Sequence, residues 1–159
     1  MIHRAHPADR GAVEAIVHAA YAIYVDRIGK PPGPMLDDYA RLIADGMVSV
    51  FEDADGTVAA VIVLVPQRDH LLLDNIAVRP DRQGQGLGRR LIAFAEDEAR
   101  RLGFAELRLY THEKMTENIA LYARLGFVET GRGQQAGYDR VFMIKRLATD
   151  PPSEPAMRS

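Results

Sequence analysis

The chain of 159 residues contains no cysteine and no tryptophan, and serine occurs only at Ser49, Ser153 and Ser159. Without cysteine there is no disulfide, no thiol nucleophile and no thiolate zinc site. No serine stands in a Gly-x-Ser-x-Gly setting, which argues against a serine hydrolase. The longest apolar run, Val58 to Val65, is too short to cross a bilayer, and the N-terminus lacks an apolar signal core, so we expect a cytoplasmic protein. Any group transfer must proceed without those covalent nucleophiles.

The length and the apolar content of the chain are typical of one globular domain. The chain is 47% apolar, with a net charge of −2 and a sequence pI near 6.2, which predicts a real core and gives no electrostatic support for nucleic-acid or membrane partners. We expect a single domain over residues 1–147. Residues 148–159, which contain Pro151, Pro152 and Pro155, are expected to be a disordered tail.

Apolar periodicity and turn residues predict alternating strands and helices. The predicted strands cover residues 1–5, 47–52, 57–65, 71–78, 105–111, 127–132 and 140–146, and the predicted helices cover residues 7–27, 35–44, 87–102 and 116–125. The order of these elements indicates the α/β class.

The segment Gln83-Gly84-Gln85-Gly86-Leu87-Gly88 lies between an apolar strand and a helix with a clear apolar face. Glycine has no Cβ, so the backbone can bend freely there and bring its N–H groups close to a ligand. The free amides of the first helical turn and the positive end of the helix dipole face the same point. This arrangement predicts a site for a phosphate-bearing anion.

Arg82, Arg89 and Arg90 flank the glycines. A cation in the first helical turn opposes the helix dipole at a cost of about 0.3–1 kcal/mol. Neither Arg89 nor Arg90 has an acidic residue three or four places onward to offset that cost. A bound anion would explain the cluster, and the alternative is that these arginines simply point into solvent.

Two familiar phosphate loops do not fit. A Walker-type loop ends in Gly-Lys-Ser/Thr, whereas this one ends in Gly88-Arg89-Arg90. A dinucleotide fingerprint needs glycine at position 89, which is arginine, so we take the acidic Glu106 about twenty residues onward as a chance match.

The loop instead resembles the acetyl-CoA signature of the GNAT N-acetyltransferases, Gln/Arg-x-x-Gly-x-Gly/Ala, met here by Gln83, Gly86 and Gly88. An Ala-Val-x-Pro strand end precedes it at residues 77–80, and Leu-Tyr-x-x-Leu-Gly-Phe follows at residues 121–127. The resemblance extends over about residues 2–147. It implies a single-domain fold with a mixed, mostly antiparallel sheet of about six or seven strands, helices on both faces, and a splayed parallel strand pair that forms the acetyl-CoA cleft.

The resemblance also implies how acetyl-CoA, acting as co-substrate without a metal, would bind. The pantetheine arm would enter the gap beside the strand before the loop and pair with main-chain groups near Ile76 and Val78. The expected cofactor-binding residues are Ile76, Ala77, Val78, Arg82, Gln83, Gly84, Gln85, Gly86, Leu87, Gly88, Arg89, Arg90, Asn118 and Tyr122.

Two residues are candidates for proton transfer. By resemblance, Tyr122 would protonate the departing CoA thiolate, although an aromatic ring ahead of Leu125-Gly126-Phe127 would also make a good core contact. Asp74 interrupts an apolar strand, where strand alternation places it on one face with Ile76 and Val78. It would take the proton of the amine through water, or it would serve only to accept N–H bonds or pair with an arginine.

The sequence departs from the family pattern near Tyr122. Many relatives carry an asparagine seven residues before the tyrosine, where this chain has Met115, and Asn118 lies only four before it. Asn118 would contact the cofactor or cap the helix, and we favour the cap slightly. His112 and Glu113 lack the partners of a metal site, so we interpret them as a surface pair.

The acceptor would meet the first two helices and the link between them. Candidate substrate-binding residues are Tyr21, Tyr24, Met35 and Asp38, in a region that also holds Arg27 and Asp37. Aromatic rings beside carboxylates suit a cationic amine, whereas the same residues at helical spacing would also form a packed stripe with a solvated edge.

These observations predict an acetyl-CoA-dependent N-acetyltransferase that uses direct attack on a primary amine of a small molecule or a peptide. One alternative is a non-catalytic acyl-CoA-binding regulatory module in which Tyr122 only packs. Another is a nucleotide-binding regulatory domain, which ATP or NAD would stabilise. Relatives are often dimers, so a homodimer stays open.

Overall fold

The computed structural model describes residues 1–148, and residues 149–159, which make up nearly all of the expected tail, lie outside the described part. The described chain forms seven strands: β1 (Ile2–Arg4), β2 (Val48–Glu52), β3 (Val58–Pro66), β4 (Leu71–Val78), β5 (Glu106–His112), β6 (Val128–Gln135) and β7 (Tyr138–Arg146). Its α-helices are α1 (Arg10–Ile28), α2 (Tyr39–Ala44), α3 (Leu87–Arg101) and α4 (Thr116–Arg124). Within residues 1–148, no helix has the length and apolar character that crossing a membrane requires.

All seven strands belong to one sheet in the order β1-β2-β3-β4-β5-β7-β6, in which β4 and β5 are parallel and the other neighbours are antiparallel. The expected mixed α/β fold is therefore confirmed. Helices cover both faces of the sheet. The buried side chains of α3 pack in one core cluster and those of α1 pack in the other.

The parallel pair separates along its length. Residues Leu71 to Leu73 pair with Leu107 to Leu109, and no pairing continues beyond them although β4 extends to Val78 and β5 to His112. The two strand ends diverge, as the resemblance implied. A gap opens at the point where β4 leads into the glycine-rich segment at residues 83–88, which we call the glycine loop.

A β-bulge lies where the strands begin to separate. The register between β3 and β4 passes from Val63 opposite Asn75 directly to Leu64 opposite Leu73, so that Asp74 is the extra residue. A bulge bends its strand and re-aims the side chains around it, and such bulges are common beside active sites. Strict alternation along β4 is therefore broken at Asp74.

The segment between α1 and β2 is less regular than predicted. Instead of one helix over 35–44, a 3₁₀ turn at Gly33–Leu36 is followed by extended backbone at Asp37 and by α2. The carboxylate of Asp38 accepts a hydrogen bond from the main-chain N–H of Arg41 at 3.2 Å, which caps α2 and fixes its start. We call residues 29–38 the link.

Candidate active site

The glycine loop continues directly into α3, which begins at Leu87. Gly84 and Gly86 have φ angles of +80° and +81°, a left-handed conformation that costs other residues strain, and Gly86 is the N-cap of the helix. A Cβ at either position would meet no atom within 4 Å. Conformation rather than space therefore requires glycine here.

The main-chain N–H groups of this loop are free. Among residues 1–148, no acceptor receives the N–H groups of Gly84 through Arg89, and the first amide of the turn with an internal partner is that of Arg90, which donates to the Gly86 carbonyl at 3.1 Å. Successive free amides at the positive end of a 15-residue helix form an anion site.

A cavity of about 600 Å³ extends from this loop into the gap beside β4. We call it the cofactor cavity. It is lined by most of the residues predicted to bind the cofactor: Ile76, Ala77, Val78, Arg82, Gln83, Gly84, Gly86, Leu87, Gly88, Arg89 and Asn118. Gln85, Arg90 and Tyr122 do not line it.

The three arginines have different surroundings. Arg82 pairs with Asp53, and its Nε donates to Gln85 Oε1 at 2.7 Å. The guanidinium of Arg90 lies 4.8 Å from the centre of the Phe51 ring, so its environment is the sheet side of α3 rather than the cofactor cavity. Arg89 is exposed, lines the cavity and has no ion-pair partner within the described residues.

The main chain of β4 presents polar groups to the gap. The N–H of Arg79 donates to Ala59 on β3, so strand alternation directs the main-chain groups of Ile76 and Val78 away from β3. Their carbonyls are already engaged: the Tyr21 hydroxyl donates to Ile76 at 3.0 Å, and Gln83 Nε2 donates to Val78 at 3.2 Å. The N–H groups are the ones left for a ligand in the gap.

Tyr122 combines a buried ring with an unengaged hydroxyl. The ring is 4% exposed and packs edge-on against Phe127 at a centroid distance of 5.7 Å, as expected for a core contact. Its hydroxyl makes no hydrogen bond within residues 1–148, and the side chain lines a second cavity. Burial raises the pKa of this phenol well above its usual value, so it is protonated at neutral pH.

The second cavity, of about 140 Å³, lies on the other side of Tyr21 and Asn118, which line both cavities. We call it the acceptor cavity. Its polar and aromatic lining comes from α1, the link, β4, β5, α4 and β7, and comprises Tyr21, Asp37, Asp74, Asn75, Tyr110, Thr111, His112, Asn118, Tyr122, Tyr138 and Arg140.

Two carboxyl groups meet in the acceptor cavity. Asp37 and Asp74 both line it, and burial, together with the charge and hydrogen bonding of the neighbouring Asp74, raises the pKa of Asp37 to about 7. The Tyr110 hydroxyl donates to Asp74 Oδ1 at 3.3 Å. The expectation that Asp74 shares a face with Ile76 and Val78 is wrong. The bulge turns Asp74 toward the link, whereas Ile76 packs in the core beneath α3.

The predicted acceptor residues separate in the structure. Tyr21 lies at the junction of the two cavities, and its hydroxyl is 2.8 Å from Asn75 Oδ1. Tyr24 lines the cofactor cavity, and Met35 lines a third groove behind the link. Asp38 lines none of these cavities because its carboxylate caps α2, and the neighbouring Asp37 is the acidic residue that the link contributes to the acceptor cavity.

Asn118 does not cap α4. The N-cap is Met115, which makes no side-chain cap bond, and Asn118 lies one turn further on with its side chain at the junction of the cavities. The slight preference for a cap is therefore wrong. Met115 is buried, and its sulfur accepts a hydrogen bond from the Thr111 hydroxyl at 3.9 Å.

Sequence reasoning missed the contributions of β5 and β7. Tyr110 and His112 alternate along β5 on the face opposite buried Leu109, and His112 pairs in register with Arg140. His112 is 6% exposed, so its interpretation as a surface residue is wrong; burial lowers the pKa of its ring, and Nδ1 accepts the Lys114 N–H at 3.1 Å. The sequence does contain a sign of this site, because polar residues occupy every second position of the half-buried strand β5.

Comparisons with known proteins agree with this geometry. A [Ribosomal protein bS18]-alanine N-acetyltransferase from Escherichia coli K12 is 43% identical over 75 residues, which cover 47% of this chain and 51% of that relative, so the match spans about half of the relative's length. A solved structure of the ribosomal-protein-S18-alanine N-acetyltransferase from Escherichia coli superposes with a TM-score of 0.71 at 25% identity, covering 98% of this chain and 99% of the other.

The fold is also that of the PaiA N-acetyltransferase from Thermoplasma acidophilum, solved in complex with coenzyme A, with a TM-score of 0.75 at 18% identity over 92% of this chain and 98% of that one. The family model of the acetyltransferase (GNAT) family matches residues 13–127, which is most of the chain. The chain therefore belongs to the GNAT acetyltransferase family.

Proposed function

We propose that this protein transfers the acetyl group of acetyl-CoA directly to a primary amine. The observation that carries the proposal is the run of free main-chain N–H groups from Gly84 to Arg89, which opens onto a cavity reaching along the splayed edge of β4. These amides suit the pyrophosphate of coenzyme A, and the gap suits its extended pantetheine arm. Arg89, which has no ion-pair partner within residues 1–148, adds a positive charge at the same place.

The bound thioester would lie where the two cavities meet. The N–H groups of Ile76 and Val78 face the gap and would donate to the pantetheine amides and to the thioester carbonyl, whose oxygen gains negative charge during attack. Because main-chain groups do this work, the identity of those two side chains matters little.

The chemistry needs one proton removed and one supplied. The amine nitrogen attacks the thioester carbon, the carbon–sulfur bond breaks, and the thiolate takes a proton from the phenol of Tyr122. The proton lost by the amine passes to the carboxyl pair of Asp37 and Asp74, directly or through water. Asp37 thus joins Asp74 as the proposed base. It also replaces Asp38 as the acidic residue that we propose to contact the acceptor.

The rival function is a regulatory module that only binds acyl-CoA. The Tyr122 hydroxyl favours an enzyme: it has no hydrogen-bond partner within residues 1–148, yet its side chain lines the cavity next to the proposed thioester. A residue that served packing alone would need only the ring, which phenylalanine also provides.

The acceptor would be a primary amine of a small molecule or of a peptide, and the name of the bS18 enzyme gives a protein alanine as one precedent. A cytoplasmic location and a homodimer stay predictions. The acceptor cavity, with its carboxyl pair and aromatic rings, supports a cationic amine entering from the side of the link.

Thermal unfolding with acetyl-CoA, ATP and NAD tests the proposal first. A ligand at a hundred times its dissociation constant adds about 2.7 kcal/mol of stability, so we expect acetyl-CoA alone to raise the melting temperature clearly. Thiol release over a panel of small amines and short peptides then tests transfer. Stabilisation by ATP or NAD alone would refute the proposal, and acetyl-CoA binding without thiol release would favour the regulatory module.

A further inference from the structure

The guanidinium of Arg140 is held in the acceptor cavity by two aromatic rings. It lies 4.4 Å from the centre of the Tyr110 ring and 4.8 Å from that of Tyr138. Such stacking fixes the plane of the guanidinium and favours its charge, but it leaves the N–H donors in that plane unused.

These donors have no protein acceptor. Nε of Arg140 is buried without a hydrogen-bond partner, and no carboxylate of residues 1–148 lies within ion-pair distance of the guanidinium. Leaving a buried charged donor unsatisfied costs free energy, and native structures contain few such groups. A planar guanidinium with free N–H groups matches the two oxygens of a carboxylate.

The same cavity holds charge of the opposite sign. Tyr110 touches both groups: its ring lies under Arg140, and its hydroxyl donates to Asp74 at 3.3 Å. Asp37 brings a second carboxyl group to the same cavity. A cationic and an anionic group therefore contact the same tyrosine side chain, one at its ring and the other at its hydroxyl, which suits a small molecule carrying a carboxylate and an ammonium.

Two contacts between the link and the β6–β7 turn (residues 136–137) narrow the cavity on one side. Lys30 Nζ donates to the Gly137 carbonyl at 2.6 Å, and the Tyr138 hydroxyl donates to the Pro31 carbonyl at 2.7 Å. With a volume of about 140 Å³, the narrowed cavity favours a short acceptor over an extended peptide.

We infer that the acceptor is a free α-amino acid or a close analogue, whose carboxylate binds Arg140 and whose amine lies at Asp37 and Asp74. This inference rests on the proposed function, because it names the substrate class of the same site. It distinguishes this chain from an enzyme that modifies a protein terminus, where the α-carboxylate is absent.

Binding to the complex with coenzyme A tests the inference without turnover. The protein saturated with coenzyme A is titrated calorimetrically with each free L-amino acid and with the matching amino acid amide. Losing a charge-assisted hydrogen bond costs about 10- to 100-fold in affinity, so at least one amino acid should bind that much more tightly than its amide. The inference is overturned where no amino acid binds, or where the amides bind equally well.

The Arg140→Gln variant should abolish the difference between acid and amide. Arg132→Gln is the matched control, since it removes an exposed cation from the neighbouring strand outside both cavities. Unchanged affinity of each variant for coenzyme A shows that it is folded. A difference between acid and amide that survives in Arg140→Gln contradicts the inference, and the wild-type comparison stands even where the variant fails to fold.

Thiol release with the same panel plus short peptides separates the two proposals. Acetylation of peptides but not of free amino acids would uphold the transferase and refute the amino-acid site. Tight binding of an amino acid without any thiol release would uphold the site and refute the transferase.

Discussion

Asp37 in the link and Asp74 in the bulge of β4 bring two carboxyl groups into the acceptor cavity, so that a residue of the link and a residue of the sheet meet in one site. Burial and the charge of Asp74 raise the pKa of Asp37 from 3.8 to about 7. Between pH 3.8 and about pH 7, Asp37 therefore keeps its proton in the folded protein, whereas it has lost that proton in the unfolded chain.

This pair predicts a pH-dependent stability. The stabilising protonation of Asp37 is fully present below pH 4 and is lost as the pH rises to about 7. The Asp37→Asn variant should remove that loss and be more stable than wild type above pH 7, by about 1 kcal/mol after allowance for solvent screening.

Urea unfolding between pH 4 and pH 8 measures the effect. Asp38→Asn is the matched control, because asparagine also caps helices well and the substitution changes an exposed carboxylate at the next residue. Parallel stability curves for wild type and Asp37→Asn would refute the raised pKa of Asp37.

Replacing Tyr122 with Phe separates catalysis from packing. The ring contact with Phe127 is kept and the hydroxyl has no partner to lose within the described residues, so stability and coenzyme A affinity should stay near wild type. Loss of a general acid lowers turnover by about 10²- to 10⁴-fold. Steady-state thiol release measures the change, and unaltered kcat would show that another group protonates the thiolate.

The glycine loop can be tested with a pair of matched substitutions. Gly86 and Gly103 have φ angles of +81° and +84°, and they lie at the start of α3 and just beyond its end. Alanine at either position should cost about 1–2 kcal/mol in stability. Only Gly86→Ala should also weaken coenzyme A binding, by about tenfold, because its strain displaces the free amides. Equal binding by both variants in calorimetry would argue against the main-chain cradle.

The two arginines in the first turn of α3 should respond differently. Arg89→Gln removes a cation that opposes the helix dipole, so the free protein should gain about 0.3–1 kcal/mol while coenzyme A binds more weakly and with less dependence on salt. Arg90→Gln should lose the contact with the Phe51 ring and change cofactor affinity little. Calorimetry at two salt concentrations compares them, and equal effects on affinity would contradict the assignment.

The cofactor half of the site was largely predictable because it depends on local backbone chemistry. Gly84 and Gly86 mark the bend, and the apolar stripe from Leu87 marks the helix that follows. Both features depend only on residues that are close together in the sequence. Even there, the side-chain contacts of Arg82 and Arg90 could not be predicted, because their partners are distant in the sequence. Phe51 lies in β2 and Asp53 lies in the turn after it.

The acceptor half was poorly predictable because it is assembled from segments distant in the chain. Whether Asp37 or Asp38 enters the cavity depends on where α2 starts, and a shift of one residue exchanges their roles. The direction of Asp74 depends on a bulge that alternation cannot reveal. The position of Arg140 follows only from the pairing of β7 with β5, which requires the order of strands in the sheet.

The cofactor and acceptor cavities have only Tyr21 and Asn118 in common among the lining residues described. With the sites assigned as proposed, substitutions in the link, β5 and β7 can change the choice of amine while the coenzyme A half stays unchanged. Because the two cavities share so few residues, the acceptor specificity can change in evolution without loss of acetyl-CoA binding. The same separation would allow the acceptor specificity to be engineered.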